Sequence, residues 1–156
     1  MRPEIVIRPA EAADAAAIST LVCAVLYASN LPDYGAENVR RVAGHFTPEG
    51  VRHMLADGRV SFVATRGDRL VGTASYAPGE EAGTGVVKTF FVDSSQQRMG
   101  IGARLYDRIA AEAAKNRVSH FVVRASLAGV AFYEKLGFVP VQDHWDGTER
   151  TVEMRK

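Results

Sequence analysis

A polar loop with two glycines, lying between a strand-like run and a helix-like run, is the part of this sequence best suited to binding chemistry. Residues 86–92 read V-V-K-T-F-F-V, a β-branched and aromatic run typical of a buried strand. Gly100 and Gly102 follow a short polar segment, and from Ile101 onward apolar residues recur at helical spacing. The first N–H groups of a helix have no partner within the helix, and the helix dipole adds partial positive charge there. The arrangement predicts an anion site, most plainly a phosphate site.

The letters of this loop exclude two familiar phosphate-binding motifs. A P-loop requires Lys-Ser or Lys-Thr directly after its last glycine, whereas Ala103 and Arg104 follow Gly102. A dinucleotide-binding loop would need a glycine where Leu105 stands and an acid where Arg124 ends the next strand. By itself, the remaining Gly-x-Gly spacing fits a tight turn relieved by glycine as well as it fits a phosphate cradle.

A second motif separates these two interpretations. The loop carries Gln97, Gly100 and Gly102 at the defining positions of the Q/R-x-x-G-x-G/A loop, and residues 131–138 read A-F-Y-E-K-L-G-F. Both segments resemble the GNAT superfamily of N-acetyltransferases, in which an F-Y-x-K-x-G-F segment follows the next strand. The resemblance extends from about Ile5 to the end of the chain, although the N-terminal half matches only in the order of its elements. Ser94 stands where the family often has proline.

The resemblance implies an α/β (α+β) fold with a mixed central sheet of about seven strands, flanking helices and a parallel strand pair around the β-α-β unit. It implies acetyl-CoA as co-substrate. No metal is expected, because none of the four histidines stands at metal-ligand spacing. The pyrophosphate would then lie on the backbone N–H groups of the loop, and the thioester oxygen and pantetheine arm would meet the strand before it. The residues expected to bind acetyl-CoA are Phe91, Val92, Gln97, Arg98, Met99, Gly100, Ile101, Gly102 and Ala103.

The activity that the resemblance implies is direct transfer of acetyl to a primary amine through a tetrahedral intermediate. An amine of pKa ~10.4 is almost entirely protonated at pH 7, a penalty of about 4.6 kcal/mol, so its proton must be removed. The thiolate that leaves benefits from a general acid. In the family this acid is commonly the tyrosine of the second motif, here Tyr133. The strand facing the thioester offers only Lys88 and no acid before Asp93, so the base is open; Glu81 could act through water.

The acceptor is expected between the first helical loop and the last hairpin. Acidic and aromatic side chains there would suit a cationic amine through charge and cation–π contact. A small amine, an amino acid, a peptide N-terminus and a lysine side chain all remain open. The residues predicted to line this site are Asp33, Tyr34, Tyr76 and Trp145, with Asp143, His144 and Asp146 beside them.

Composition indicates one domain over residues 1–156, because 47% hydrophobic content supports a single core. A net charge of +1 does not favour nucleic acid, and no apolar run long enough to span a membrane, signal peptide or metal-ligand spacing is recognised. The single Cys23 excludes an internal disulfide and favours a cytoplasmic protein. We expect a monomer or a homodimer. A rival function on the same fold is a non-catalytic CoA-binding sensor or interaction module.

The order of elements follows from periodicity and turn signals. A strand near Glu4–Arg8 precedes a helix capped by Asp14, and residues 29–35 are predicted to be a loop. A helix over 37–45, a Thr47-capped helix, a hairpin over 60–77 and the β-α-β unit come next. The last helix is predicted over 127–136, followed by strands over 139–141 and 151–154 joined by the connection 142–150.

Overall fold

The computed structural model describes residues 3–96 and 99–156, and its framework is a seven-stranded sheet with strand order β1-β2-β3-β4-β5-β7-β6. Neighbouring strands are antiparallel except for β4 and β5, which are parallel, as the β-α-β unit predicts. The strands are β1 (Ile5–Pro9), β2 (Val60–Arg66), β3 (Arg69–Pro78), β4 (Thr84–Val92), β5 (His120–Ala125), β6 (Val139–Asp146) and β7 (Glu149–Arg155).

Among residues 3–96 and 99–156, five α-helices cover the sheet, and the core divides into two clusters. The helices are α1 (Ala15–Val25), α2 (Leu31–Ala43), α3 (Pro48–Leu55), α4 (Ile101–Lys115) and α5 (Val130–Lys135). On one face, Ile101, Leu105 and Ile109 of α4 are buried against the sheet. On the other face, residues of α1, α2 and α3 pack around Val63 and Phe91. The mixed sheet with flanking helices confirms the predicted fold class.

The predicted loop over residues 29–35 is wrong, because the chain stays helical there. A π turn over Leu26–Asn30 leads directly into α2, whose first turn contains Pro32. Proline is tolerated at this position because its missing N–H would have no helical partner. Gly35 interrupts α2 with φ 83° and ψ 165°, a conformation that glycine adopts without a steric penalty. The kink divides α2 into two helical segments.

Residues 12–43 are apolar and long enough, by composition alone, for a membrane-spanning helix. Their packing gives another reason for that composition. Ala15, Ile18, Val22 and Leu26 are buried against the sheet in the second core cluster. The kink at Gly35 also divides the segment, so it is not one continuous helix in this fold.

The second hairpin is longer than predicted. The stretch 142–150, expected as a connection, belongs mostly to β6 and β7, which turn at Gly147 with φ 62°. β6 lies at the edge of the sheet and is exposed along most of its length, so it shows little hydrophobic alternation. That lack of alternation explains why its length was not recognised.

Asp14 precedes α1 as expected, but its side chain does not cap that helix. Its two carboxylate oxygens accept hydrogen bonds of 2.8 Å from the Arg8 guanidinium, and one accepts from the Glu11 N–H at 2.7 Å. The Arg8 guanidinium holds the pKa of Asp14 below its ordinary value. The carboxylate therefore ties β1 to the short turn, Ala12–Asp14, that enters α1.

We expect Asp14→Asn to lower the free energy of unfolding at pH 7 by about 1–3 kcal/mol, since a hydrogen bond between charged groups is lost. Because the folded pKa is lowered, the stabilisation is present above the ordinary aspartate pKa of ~3.9 and disappears as the pH falls through the folded value. Urea unfolding at pH 7 and pH 3 measures this difference. Asp107→Asn, on the exposed surface of α4, is the control, and an equal loss at both pH values would contradict the role of the charge.

Candidate active site

The central feature of the site is a split between β4 and β5. The two strands pair only at Thr84–His120, Gly85–Phe121 and Val86–Val122, although both are described to their ends. Beyond these pairs they diverge, and a cleft of about 670 Å³ opens between them. A backbone that leaves its ladder must find other hydrogen-bond partners, so a divergent pair of strands provides donors and acceptors for a ligand.

A bulge in β4 lies beside this split. Lys88 pairs with Ser75 of β3, and Phe91 pairs with Thr73. Between these two pairs β4 contains one residue more than β3. Within this bulge, Thr89 has φ 48°, which is unusual for a β-branched residue and costs about 1–3 kcal/mol. Thr89 lines the cleft. Bulges are common next to active sites because they redirect the backbone.

Arg59 supports this strained residue. Its Nη1 donates a hydrogen bond of 2.9 Å to Thr89 Oγ1. The rest of the guanidinium donates to the Asp57 carboxylate, with Nε–Oδ1 at 3.0 Å and Nη2–Oδ2 at 2.8 Å. These bonds hold the pKa of Asp57 below its ordinary value. Sequence reasoning missed Arg59, because nothing in a single strand pattern indicates a contact thirty residues away.

The glycine loop forms one end of the cleft. Gly100 precedes α4 with φ 77° and has open space where a Cβ would stand. Among the described residues no side chain caps α4, and Gly100, Ile101, Gly102 and Ala103 all line the cleft. The first N–H groups of α4 therefore face a space that can hold an anion. Gln97 and Arg98, predicted to contribute here, lie outside the described residues, and Met99 is exposed and does not line the cleft.

Gly102 lies directly against an aromatic ring. A Cβ at Gly102 would stand 2.8 Å from Cζ of Phe132 on α5. The ring of Phe132 packs edge-to-face with Phe90 and Tyr133, each at 5.1 Å between centroids. Gly102 is thus needed for the contact between α4 and the aromatic wall of the cleft, whereas Gly100 supplies the turn.

Tyr133 lies in this aromatic wall. It is 7% exposed, lines the cleft, and packs edge-to-face against Phe90 at 6.0 Å and Phe138 at 5.4 Å. Burial raises the pKa of its hydroxyl, and this hydroxyl has no hydrogen-bond partner among the described residues. The hydroxyl is consequently protonated at neutral pH and available to donate a hydrogen bond to a ligand.

The remaining predicted site residues are distributed unevenly. Phe91 and Val92 line the cleft, but none of the predicted acceptor residues does. Tyr76 is in the core, where its hydroxyl accepts a hydrogen bond of 3.0 Å from Asn116. Tyr34 joins α2 to two other segments, donating to the Arg150 carbonyl at 2.6 Å and accepting from the Leu127 N–H at 3.0 Å.

Glu81, Asp33 and Trp145 are all exposed. Glu81 precedes β4 at the end away from the cleft and pairs loosely with Arg155 at 3.9 Å. Glu81 lies before Thr84, the first residue of β4, and about 16 Å of strand separates Thr84 from Thr89 in the bulge. The Glu81 side chain is therefore far from the bulge. Sequence reasoning missed the wall opposite these strands, formed by the helical residues Val25, Leu26, Ser29, Asn30 and Val42 and by Phe46, which follows α2.

The family of this chain follows from a comparison with known families. The family model described as acetyltransferase (GNAT) domain matches residues 30–154, so the chain belongs to the GNAT family. It is an acetyltransferase of that family, a class of acyltransferases that depend on acetyl-CoA. The predicted family and enzyme class are confirmed. A comparison with curated proteins finds no match.

Solved structures agree with this assignment at the level of the fold. The PaiA N-acetyltransferase from Thermoplasma acidophilum, in complex with coenzyme A, superposes with a TM-score of 0.86 at 15% identity, over 98% of each chain. A GCN5-related N-acetyltransferase from Rhodopseudomonas palustris superposes with a TM-score of 0.84 at 22% identity, over 100% of this chain and 97% of that one. An aminoglycoside 6'-N-acetyltransferase complexed with coenzyme A has a TM-score of 0.74 at 18% identity, over 97% and 96%.

The contact between Gly102 and Phe132 can be tested by a double-mutant cycle. We expect Gly102→Ala to destabilise the protein by about 1–3 kcal/mol, because the added methyl group overpacks the Phe132 ring. In a Phe132→Ala background, the same substitution should stabilise by up to about 1 kcal/mol, since alanine is the better helix former. Chemical denaturation of the four variants measures both values. An equal cost in both backgrounds would contradict the packing role of Gly102.

The support of the bulge by Arg59 is also testable. We expect Arg59→Met to lower kcat for acetyl transfer about 10–100-fold, because Thr89 loses the donor that holds the bulge and reacting groups move apart. KM for acetyl-CoA and the melting temperature should change little. Steady-state kinetics, with an amine identified by a thiol-release screen, measures the split between kcat and KM.

Arg41→Met is the matched control for Arg59→Met, since Arg41 also pairs with a carboxylate, that of Glu149 at 3.1 Å, but is exposed on α2 and does not line the cleft. If both arginine variants lose activity equally, or if Arg59→Met changes only the melting temperature, the positioning role is contradicted.

Proposed function

We propose that this protein transfers the acetyl group of acetyl-CoA to a primary amine by direct attack through a tetrahedral intermediate. The observation that carries the proposal is a single cleft that joins two chemically different features. The uncapped N-terminus of α4 lies at one end, and Tyr133 lines the cleft and packs against Phe90 in the bulge of β4. The first suits a pyrophosphate and the second a leaving thiolate.

The residues present fit coenzyme A. The N–H groups of Ile101, Gly102 and Ala103 would bind the pyrophosphate, with Gly100 leaving room for it. Lys135 also lines the cleft, on α5, the helix that packs against Gly102. Phe91 and Val92 line the diverging side of β4, where their backbone would meet the pantetheine arm and the thioester oxygen.

In the proposed reaction, the neutral amine nitrogen adds to the acetyl carbon and gives the tetrahedral intermediate, whose carbon–sulfur bond then breaks. The nitrogen loses one proton to solvent, and the sulfur leaves as the thiol after taking one proton from Tyr133. Solvent then returns a proton to Tyr133. A phenol ordinarily has a higher pKa than a thiol, and burial raises the pKa of Tyr133 further, so proton transfer accompanies bond breaking, when negative charge accumulates on sulfur.

Removal of the amine proton proceeds through water in this proposal, because no carboxylate is among the described residues that line the cleft. Glu81 as a base acting through water stays a prediction, and its position beyond the paired end of β4 requires a long chain of waters. Because only the neutral amine attacks, the rate depends on the fraction of amine that is neutral. We therefore expect kcat/KM to rise with pH up to the pKa of the amine.

The proposed function is tested by binding and by turnover. We expect acetyl-CoA and CoA, but not ATP or NAD, to raise the melting temperature, and at least one primary amine to release free thiol from acetyl-CoA. Binding of acetyl-CoA without thiol release for any amine would favour a CoA-binding sensor. No stabilisation by either CoA compound would overturn the assignment of the cleft.

The role of Tyr133 is tested by removal of its hydroxyl. We expect Tyr133→Phe to lower kcat about 10²–10⁴-fold while the affinity for acetyl-CoA, measured by calorimetry, is unchanged. Tyr106→Phe is a matched control, because Tyr106 belongs to the same aromatic network, packing on Phe138 at 5.6 Å, but does not line the cleft. Equal kcat values for the two variants would contradict the role of Tyr133 as the general acid and would indicate that it serves only in packing.

A further inference from the structure

The charged residues that line the cleft are all of one sign. Among the described residues these are Lys88, Arg124 and Lys135, and no aspartate or glutamate accompanies them. A site for a simple cationic amine would be expected to contain carboxylates, as was predicted from the sequence. The acidic residues of that prediction, Asp33, Asp143 and Asp146, lie outside the lining.

The three cations lie at different places. Lys135 is on α5, on the face of the sheet where the glycine loop and the phosphate end lie. Side chains alternate along strands, and Val87 and Val123 point into the core beneath α4. Lys88 and Arg124, their neighbours, consequently point to the opposite face, where α1, α2 and α3 pack. They stand on the two sides of the split between β4 and β5.

Neither of these two cations forms an ion pair with a described residue, whereas nearby carboxylates are already engaged. Glu153, opposite Arg124 in the ladder, accepts from His144 at 2.8 Å and from Arg155 at 3.2 Å. Asp57, close enough for Lys88 to lower its pKa, receives the guanidinium of Arg59. Lys88 and Arg124 are thus positive charges without an ion-pair partner among the described residues, one on each wall of the cleft and away from the phosphate end.

From this arrangement, and resting on the proposed acetyl transfer, we propose that the acceptor is an amine that also carries an anionic group, a carboxylate or a phosphate, held between Lys88 and Arg124. The Arg124 guanidinium can bind either anionic group through two parallel hydrogen bonds, and the Lys88 ammonium group adds a second positive charge. A polycationic amine, such as an aminoglycoside, would instead be repelled by both side chains. The same cations favour the neutral form of the amine, which is the form that attacks.

Matched pairs of amines test whether the enzyme prefers an acceptor that carries an anionic group. Thiol release at saturating acetyl-CoA is measured for glycine against glycinamide and for O-phosphoethanolamine against ethanolamine, with rates expressed per neutral amine. We expect the anionic member of at least one pair to have a kcat/KM at least 10-fold higher. The pair that shows this difference distinguishes a carboxylate from a phosphate.

Variants then assign the preference to the two residues. Lys88→Gln and Arg124→Gln should each lower kcat/KM for the anionic amine about 10-fold, leave KM for acetyl-CoA unchanged, and leave the cationic amine unaffected or improved. Lys115→Gln, an exposed charge change on α4, is the control. The double variant Lys88→Glu with Arg124→Glu should reverse the preference within the pair.

Three outcomes would overturn the inference while the proposed function stands. The cationic members could be acetylated as well as or better than the anionic ones, or the preference could survive both single variants. Alternatively, acetyl-CoA could bind while no anionic member is acetylated or raises the melting temperature of the acetyl-CoA complex. Failure of acetyl-CoA itself to bind would instead overturn the proposed function, so the two failures are distinguishable.

Discussion

The structure depends on the point where β4 and β5 stop pairing. Buried N–H and C=O groups must be hydrogen-bonded, and after Val86 and Val122 the two strands no longer satisfy each other. The sheet tolerates this because β4 stays paired with β3 through the bulge, and because Arg59 holds the strained Thr89. A break in the sheet thus becomes a lined cleft, with backbone groups positioned for an extended ligand.

An aromatic network connects this cleft to the core. Edge-to-face contacts run from Phe90 to Tyr133, then through Phe138 and Tyr106 to Phe121, with ring centroids 5.4–6.0 Å apart. Such contacts are directional, so each ring restricts the orientation of the next. The Tyr133 hydroxyl is therefore held by packing rather than by hydrogen bonds, and it stays available to a leaving group.

The two ends of the cleft are both electropositive, but for different reasons. At the glycine loop, the positive potential comes from backbone N–H groups of α4, which suits the permanent negative charge of a pyrophosphate. Beside the bulge, it comes from the side chains of Lys88 and Arg124. In our proposal, the backbone donors bind the pyrophosphate, and the side chains of Lys88 and Arg124 select the acceptor.

The sequence by itself determined the sheet, the β-α-β unit, the glycine loop and the acetyltransferase family, because each depends on local periodicity or on short motifs around Gly100 and Tyr133. It did not predict the helical turn over Leu26–Asn30 or the full length of the exposed β6, where local signals are weak. Contacts between distant segments were decided only by the tertiary structure. Gly102 faces Phe132, Arg59 holds Thr89, and the acidic residues expected at the acceptor site lie outside a cleft whose charges are positive. Strand divergence and helix packing bring together residues that are far apart in the chain. Local patterns in a single sequence do not indicate which distant residues will be in contact.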